Sequence, residues 1–298
     1  MSNLSVENVY TRQSAKELAK KHFWKLLGMM AIVVGIVYAI TLGGTALMAL
    51  SGNEGVMVIG AIVLMAAMLL VACGLGMGLL AAMIDLCRGD ETVTVGRVFS
   101  RMGQCLKALG LSLWVGLKTM LWMLPGYAVV LISAFVVLGS VNTTTDTISE
   151  GSAALMTLLP VIGLILVFAL MIPAAMRYML STYILADKPE TGVFESVRQS
   201  KAMMKGHKWQ AFKLVIPIFL VMYVMMLVIT VVIGAAGGLL GNSEAAMVLL
   251  SIVLFIVMMA AILYYSIRME LCYVLFYLKR LEEQNPTEEA AAEPAQAE

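Results

Sequence analysis

Long apolar runs alternate with polar connections along this 298-residue chain. Within the runs, polar and apolar positions do not alternate, which disfavours the strands of about ten residues found in transmembrane β-barrels. Each run exceeds the roughly 20 residues that a helix needs to cross the hydrocarbon core of a bilayer. The pattern therefore predicts an all-α, polytopic membrane helical bundle of six transmembrane helices. The predicted spans are residues 24–50, 55–84, 106–138, 153–185, 209–240 and 245–278.

Composition supports the same class of protein. Hydrophobic residues make up 61% of the chain and charged residues 13%, whereas soluble domains have roughly 45–50% apolar and about 25% charged residues. The net charge of +1 carries little information, because acidic and basic residues are segregated along the chain. The positions of the basic residues along the chain are therefore more informative than the net charge.

The short connections after the first, third and fifth spans contain no Lys or Arg. Their charged residues are all acidic, namely Glu54, Asp146, Glu150 and Glu244. All 20 Lys and Arg residues therefore lie in the termini, in the longer connections or within the apolar runs. Because basic residues stay on the cytoplasmic side, we predict three helical hairpins in the cell membrane, with both termini cytoplasmic.

Three regions follow from this layout. Residues 1–23 are predicted to form a cytoplasmic N-terminal amphipathic segment, residues 24–281 the membrane domain, and residues 282–298 a disordered acidic cytoplasmic tail. Ser14 and Glu17 have the spacing of a capping box. A short helix is therefore expected to begin at Ser14 and to lead into the first span.

The fourth connection predicts an interfacial helix that begins after Asp187 and ends at Gly206. Its expected apolar face consists of Val193, Phe194, Val197 and Met204. Its flanking cations are Arg198, Lys201 and Lys205. This arrangement is typical of a helix that lies in the headgroup layer.

The same basic phrase, with a Trp, occurs twice in the chain. Residues 12–29 read RQSAKELAKKHFWKLLGM and residues 198–215 read RQSKAMMKGHKWQAFKLV, and they hold both histidines, His22 and His207. Two explanations remain open: a triplicated helical hairpin, or separate selection of Lys, Arg and Trp wherever a helix enters the membrane. The predicted membrane-interface anchors are Trp24, Trp209, Lys205, Lys208 and Arg268.

Lys118 and Arg177 are the speculative functional residues, because charges within spans are costly and suggest function. Arg177 and Arg268 lie far enough along their spans to reach the cytoplasmic headgroups. Two alternatives exist for Lys118. Either the third span begins after it and residues 97–118 lie along the surface, or Lys118 is buried within the membrane without an evident acidic partner.

No catalytic, cofactor-binding or metal-binding residues are predicted. The sequence contains no H-E-x-x-H, G-x-S-x-G or P-loop motif, and its four cysteines lack metal-ligand spacing. The Gly-rich stretches at 74–78 and 234–238 have the small-residue spacing that lets helices pack closely. The dispersed basic residues do not suggest nucleic-acid binding.

Residues 172–215 read IPAAMRYMLSTYILADKPETGVFESVRQSKAMMKGHKWQAFKLV. This stretch resembles the most diagnostic part of an uncharacterised bacterial integral membrane family, domain of unknown function 975, and the resemblance is strongest over residues 173–213. The matching positions are Tyr183, 185–189, Ser200, 204–208, Phe276 and Tyr277. The first residues, TRQSAKELAKKHFW from Thr11, also resemble that family.

One departure from the family pattern concerns the third and fourth spans. In the family a Pro-Gly pair lies close before the Arg-Tyr pair, whereas here residues 127–176 separate Gly126 from Arg177. The stretch between them resembles an insertion. The chain is more distantly similar to the membrane domain of glycerophosphodiester phosphodiesterases, but it has no phosphodiesterase residues. The resemblance implies a multi-pass plasma-membrane protein without an established activity.

The leading functional hypothesis is a non-enzymatic membrane scaffold or accessory protein whose partners are membrane lipids, other membrane proteins or a second copy of itself. A small-solute transporter or channel is the alternative, since Pro125, Pro160, Pro173 and Pro217 could interrupt helices near a binding site. An intramembrane lipid-modifying enzyme is a weaker alternative, because no nucleophile is evident.

Reporter fusions test the predicted topology. A phosphatase that is active only outside the cytoplasm should be active when fused after Asn142 and inactive when fused after Glu298, because the cations place these positions on opposite sides. A reporter that fluoresces only in the cytoplasm should give the reverse pattern. The prediction fails if both positions report the same compartment.

Overall fold

The computed structural model describes residues 2–51, 54–141, 150–239 and 244–284, which are largely helical. The helices are α1 Ser2–Lys21, α2 Phe23–Ser51, α3 Glu54–Cys87, α4 Cys105–Val141, α5 Glu150–Tyr178, α6 Ser181–Asp187, α7 Val193–Met203, α8 Lys208–Leu239 and α9 Glu244–Gln284, with a 3-10 helix at Val95–Gln104. Among these residues, six helical segments are long and apolar enough to cross a membrane: α2, α3, the 3-10 helix together with α4, α5 together with α6, α8, and α9. The predicted all-α polytopic fold is therefore confirmed. The three hairpins and the orientation of the termini stay predictions.

The chain divides into two compact units, of which the first comprises residues 1–106 and 209–298. In this unit α1 packs on α9, and the 3-10 helix packs on α3. One buried cluster contains Met29, Leu75, Ala82, Val93 and Val98. These residues come from the N-terminal part of α2, the C-terminal part of α3 and the segment that follows α3. The core of the first unit thus lies near helix ends rather than along the middle of the spans.

Glycine allows the 3-10 helix to approach α3 closely. A Cβ atom added at Gly78 would lie 1.7 Å from the carbonyl oxygen of Val98, and one at Gly74 would lie 3.2 Å from Cβ of Cys105. The packing role predicted for residues 74–78 is therefore confirmed. At Gly234 an added Cβ meets no atom of the described residues within 4 Å, and the packing role of the 234–238 stretch stays a prediction.

The spans α2 and α3 lie side by side and antiparallel. Added Cβ atoms at Gly44 and Gly60 would meet the side chains of Leu64 and Met48, respectively, and Thr41 Oγ1 lies 3.2 Å from Met68 Sδ. As residue numbers rise along α2, the numbers of their contact partners on α3 fall, so the two helices are antiparallel. In the most hydrophobic part of α3 no residue is buried, so its side chains are left to contact lipid.

The second unit comprises residues 107–208. Within it α4 and α5 approach closely, since a Cβ at Gly126 would lie 2.7 Å from the backbone nitrogen of Val167, and one at Gly163 would lie 3.0 Å from that of Val130. The fourth span is broken at residues 179–180, between α5 and α6. Helix α7 packs on both α5 and α6.

Polar contacts connect the segment that follows α3 to the end of α1 and the start of α2. Lys21 Nζ donates to Glu91 at 2.5 Å, and Lys25 Nζ donates to the Glu91 carbonyl oxygen at 2.8 Å. The hydrogen bond from Lys21 lowers the pKa of the Glu91 carboxyl group. Arg97 Nε donates to Asp85 at 2.8 Å and links the 3-10 helix to α3.

Several local predictions are wrong at helix boundaries. Ser14 does not begin a helix, because α1 starts at Ser2 and passes through it. The tail was expected to start at Glu282, but α9 continues to Gln284. Pro125, Pro160, Pro173 and Pro217 lie inside helices rather than between them.

The predicted α7 begins and ends close to the expected positions. Asp187 ends α6, and Gly206 lies in the turn after α7 with φ +87°. Val197 and Met204 of the expected apolar face are buried within the protein, but Phe194 is 69% exposed and lies off that face. The buried face also contains Ser196, Ser200 and Met203. The predicted acidic connection around Asp146 and the tail beyond residue 284 lie outside the described residues.

Replacement of Gly78 by Ala tests the close approach of the 3-10 helix. We expect Gly78→Ala to lower the free energy of unfolding by about 1–3 kcal/mol, because the new methyl group clashes with backbone. The measurement is heat-induced loss of monodisperse protein in detergent. Gly76→Ala is the matched control, since its Cβ meets nothing within 4 Å, and should keep or slightly raise stability through helix propensity. Equal stability of both variants would contradict the prediction.

Candidate functional site

The predicted tryptophan anchors lie in the first turns of two span helices. Trp24, next to the start of α2, is 80% exposed, and Trp209, next to the start of α8, is 60% exposed. Trp209 stacks on Phe212, and Lys213 Nζ lies 5.6 Å from the centroid of its indole ring. Lys205 is exposed and Lys208 is half-buried. Exposed Trp rings beside cations suit the headgroup level of a bilayer.

Lys118 lies on α4 among aromatic rings. Its Nζ is 4.8 Å from the ring centroid of Trp114 and 5.8 Å from that of Tyr178. Phe194 meets Trp114 edge to face at a centroid distance of 5.0 Å. Helix α4 is continuous through Lys118. A surface segment that is separate from the third span would therefore have to end with the 3-10 helix, before Lys118. In the described part of the chain, cation–π contacts take the place of an acidic partner for Lys118.

Arg177 lies close to the same cluster, at the end of α5. Its guanidinium carbon is 4.8 Å from the ring centroid of Trp122, one helical turn beyond Lys118. The carbonyl oxygens at this helix end accept hydrogen bonds from Ser200 Oγ at 3.2 Å and from Ser181 Oγ at 2.5 Å. These two hydroxyls satisfy backbone groups that the break after α5 would otherwise leave unpaired. The structure thus brings together the two speculative functional residues.

A concave site lies in the first unit, between α1, α8 and α9. This open cavity has a volume of about 490 Å³. Its basic residues are Arg12, Lys16 and Lys20 of α1 and Arg268 of α9. Its apolar wall consists of Pro217, Ile218 and Val221 of α8. Gln13, Glu17 and Tyr265 complete the lining. We refer to it below as the basic cavity.

The helical period explains how α1 lines the basic cavity. Ala15 and Ala19 are fully buried, and α1 packs on α9. Lys16 and Lys20 directly follow these alanines and recur with the same period of four, so their stripe borders the packing face. Arg12 extends the stripe by one turn. The small alanines let α1 approach α9 closely, which places the cations at the edge of the contact.

Arg268 is held in place by aromatic side chains. Its guanidinium carbon lies 5.8 Å and 5.7 Å from the ring centroids of Tyr264 and Tyr265. Its Nε atom is buried and has no hydrogen-bond partner among the described residues. A buried donor without an acceptor is unfavourable.

The basic cavity combines positive charge with an apolar surface. Four basic side chains and one carboxylate line it, beside an apolar wall. Among the described residues, no group of three or more His, Cys, Asp or Glu side chains could hold a metal ion. Convergent cations at the edge of a span are the feature that binds anionic lipid headgroups.

Sequence reasoning found Arg268 but missed Arg12, Lys16 and Lys20 as parts of a site. Their spacing of four residues was a usable signal, since it places all three on one stripe of a helix. The missing information was that this stripe faces α8, whose Pro217 and Val221 lie far away in the sequence. No local pattern reveals that contact.

Six segments able to span a membrane, counted over the described residues, define a multi-pass α-helical membrane protein. A family model described as a protein of unknown function, DUF975, matches residues 9–216. Because this match covers most of the chain, the protein belongs to that family. No curated protein and no solved structure matches the chain. The more distant similarity to the membrane domain of glycerophosphodiester phosphodiesterases is not shown by these comparisons.

Neutralising Lys118 tests whether its aromatic cluster matters for function. We expect Lys118→Met to keep its abundance in the membrane, because cation–π contacts contribute only about 0.5–2 kcal/mol, but to fail to complement a deletion strain. Lys118→Arg preserves the cation and should complement. Lys201→Met removes an exposed lysine of α7 and serves as the matched control. Full complementation by Lys118→Met in every phenotype would refute this role.

Proposed function

We propose that this protein is a non-enzymatic scaffold or accessory protein of the cell membrane that binds anionic lipid headgroups in the basic cavity. The observation that supports the proposal most directly is the convergence of Arg12, Lys16, Lys20 and Arg268 beside an apolar wall. A phosphate group would accept hydrogen bonds from the cations, and the attached acyl chain would lie against Pro217, Ile218 and Val221. The cavity thus offers a basic surface to the headgroup of a lipid and an apolar surface to its acyl chain.

The distribution of charge supports placing the basic cavity at the inner leaflet. The positive-inside rule assigns the N-terminus, and with it α1, to the cytoplasmic side. Anionic lipids give that leaflet a negative surface potential, which attracts basic segments by about 1 kcal/mol for each Lys or Arg near the surface. The anionic lipids of that leaflet would therefore be the oppositely charged partners of the basic residues of α1.

A small-solute transporter or channel remains the second candidate. Its support is the break between α5 and α6, since broken helices often form binding sites in transporters. The four span prolines do not add to this support, because they lie inside continuous helices. Saturable solute flux into liposomes that contain the purified protein would favour the transporter over the scaffold.

Lipid-dependent stabilisation tests the proposed function. Wild-type protein in phosphatidylcholine nanodiscs should gain thermal stability when phosphatidylglycerol is included, because a ligand that binds only the folded state stabilises it. The variant Lys16→Gln/Lys20→Gln/Arg268→Gln should bind phosphatidylglycerol roughly a hundredfold more weakly, at about 1 kcal/mol for each lost cation. Native mass spectrometry gives the affinities directly.

The control variant loses the same charge elsewhere. Lys188, Lys201 and Lys205 are exposed and lie outside the basic cavity, so Lys188→Gln/Lys201→Gln/Lys205→Gln should bind phosphatidylglycerol nearly as the wild type does. Equal loss in both variants would mean that general charge, and not the cavity, attracts the lipid. No dependence on phosphatidylglycerol in the wild type would rule out the proposal.

A further inference from the structure

A second group of basic and aromatic side chains lies in the second unit, where α4 meets the end of α5. On α4, Trp114, Lys118 and Trp122 recur at intervals of four residues and so lie along one stripe of the helix. Lys118 Nζ contacts the rings of Trp114 and Tyr178, and the guanidinium group of Arg177 lies over the ring of Trp122. We refer to these five residues as the Lys118–Arg177 cluster.

The packing of α4 against α5 brings both cations to one level of the membrane. The close glycine contacts between the two helices are antiparallel, and their register places Lys118 opposite about residue 175. Residues 119–138 of α4 and 151–176 of α5 contain no charged side chain, and roughly 20 residues of helix cross the hydrocarbon core. We therefore expect Lys118 and Arg177 at the same edge of the core, at the level of the lipid headgroups.

The cluster holds hydrogen-bond donors that lack acceptors. Among the residues that the structure describes, the ammonium group of Lys118 and the guanidinium group of Arg177 make contacts with aromatic rings but no hydrogen bond or ion pair. Nε1 of Trp114 is also buried without a hydrogen-bond partner. Both cations are half-buried and have lost part of their hydration, which costs free energy unless an acceptor replaces it. An anion would supply that acceptor.

Helix α7 holds the cluster in place. Phe194 meets Trp114 edge to face at a centroid distance of 5.0 Å, and Ser200 Oγ donates to the carbonyl oxygen of Arg177 at 3.2 Å. The side chains around the two cations are thus ordered by contacts within the second unit. A site that is ordered before its ligand arrives loses less entropy on binding.

The chemistry of the cluster favours an anionic phospholipid. The planar guanidinium group of Arg177 and the ammonium group of Lys118 are the side-chain groups that proteins use to bind phosphate. Leu117 and Leu121, on neighbouring turns of α4, are 51% and 55% exposed and offer apolar surface to an acyl chain. A headgroup that carries its own ammonium is disfavoured, because two protein cations repel it and already contact the aromatic rings.

We propose that the Lys118–Arg177 cluster binds the phosphate group of an anionic phospholipid between its two cations. Lys118 and Arg177 donate hydrogen bonds to the phosphate oxygens, and the acyl chains lie along the apolar surface of α4. This site belongs to the second unit, so it is separate from the basic cavity of the first unit and does not depend on the function proposed for that cavity.

Tryptophan fluorescence gives a local test. The chain has four Trp residues, so Trp24→Phe/Trp209→Phe leaves only Trp114 and Trp122 of the cluster as reporters. This variant is placed in phosphatidylcholine nanodiscs, and phosphatidylglycerol or phosphatidylcholine with brominated acyl chains, which quench Trp on contact, is added at increasing fractions. We expect quenching to show a preference of at least about tenfold for phosphatidylglycerol.

Charge variants in the same background locate the preference. Lys118→Gln/Arg177→Gln should remove most of it, whereas Lys118→Arg/Arg177→Lys keeps both charges and should retain it. The matched control Lys188→Gln/Lys201→Gln removes two exposed charges of the same unit and should also retain it. Lys16→Gln/Lys20→Gln/Arg268→Gln should leave quenching unchanged, because it alters only the basic cavity.

Several outcomes would overturn the proposal. Equal quenching by the two brominated lipids, before any cation is replaced, would exclude a preference for anionic lipid, and this comparison needs no charge variant to fold. A preference that persists in Lys118→Gln/Arg177→Gln, or that falls equally in the control, would assign it to general charge. Loss of the preference on addition of millimolar inorganic phosphate at constant ionic strength would assign the cluster to soluble phosphate instead of a lipid.

Discussion

Lipid gives helices little reason to pack along their middles, and this constraint explains where the structure holds together. Lipid tails are as apolar as Leu or Val side chains, so burying a span against another span gains little from the hydrophobic effect. In the most hydrophobic parts of α3 and α9 no residue is buried. Burial is instead concentrated at Leu26, Met29 and other residues near helix ends, where the chain leaves the membrane and the hydrophobic effect acts again.

The packing of these ends repeats along the chain. Two segments that lead into a pair of spans pack on the end of the span before them: the 3-10 helix on α3, and α7 on α5 and α6. Helix α1, which leads into the first pair, packs instead on α9, the last span. The turns at His22 and at residues 204–207 each precede a span helix with Trp near its start. Selection of Lys, Arg and Trp at membrane surfaces would explain composition, but it does not explain equivalent packing partners. These contacts agree with a triplicated helical hairpin, which stays a prediction.

The sequence was sufficient to predict features that depend on local chemistry. Apolar runs predicted the span helices, and the ends of α6 and α7 followed from Asp187 and Gly206. Features that depend on distant contacts could not be predicted. The capping signal at Ser14 is overridden because Ala15 and Ala19 bury one face of a longer α1. The aromatic surroundings of Lys118 could not be predicted, because its contact with Tyr178 joins separate helices.

The basic cavity follows from the same constraint. The alanine face of α1 is buried on α9, so the cations of its neighbouring stripe are brought towards Arg268. Like charges that line one cavity beside an apolar wall repel more strongly than they do in water. An anion between them converts this repulsion into attraction on both sides. Because the packing face and the charged stripe of α1 are adjacent, an anion bound there would also hold α1 against α8 and α9, which links lipid binding to the cohesion of the first unit.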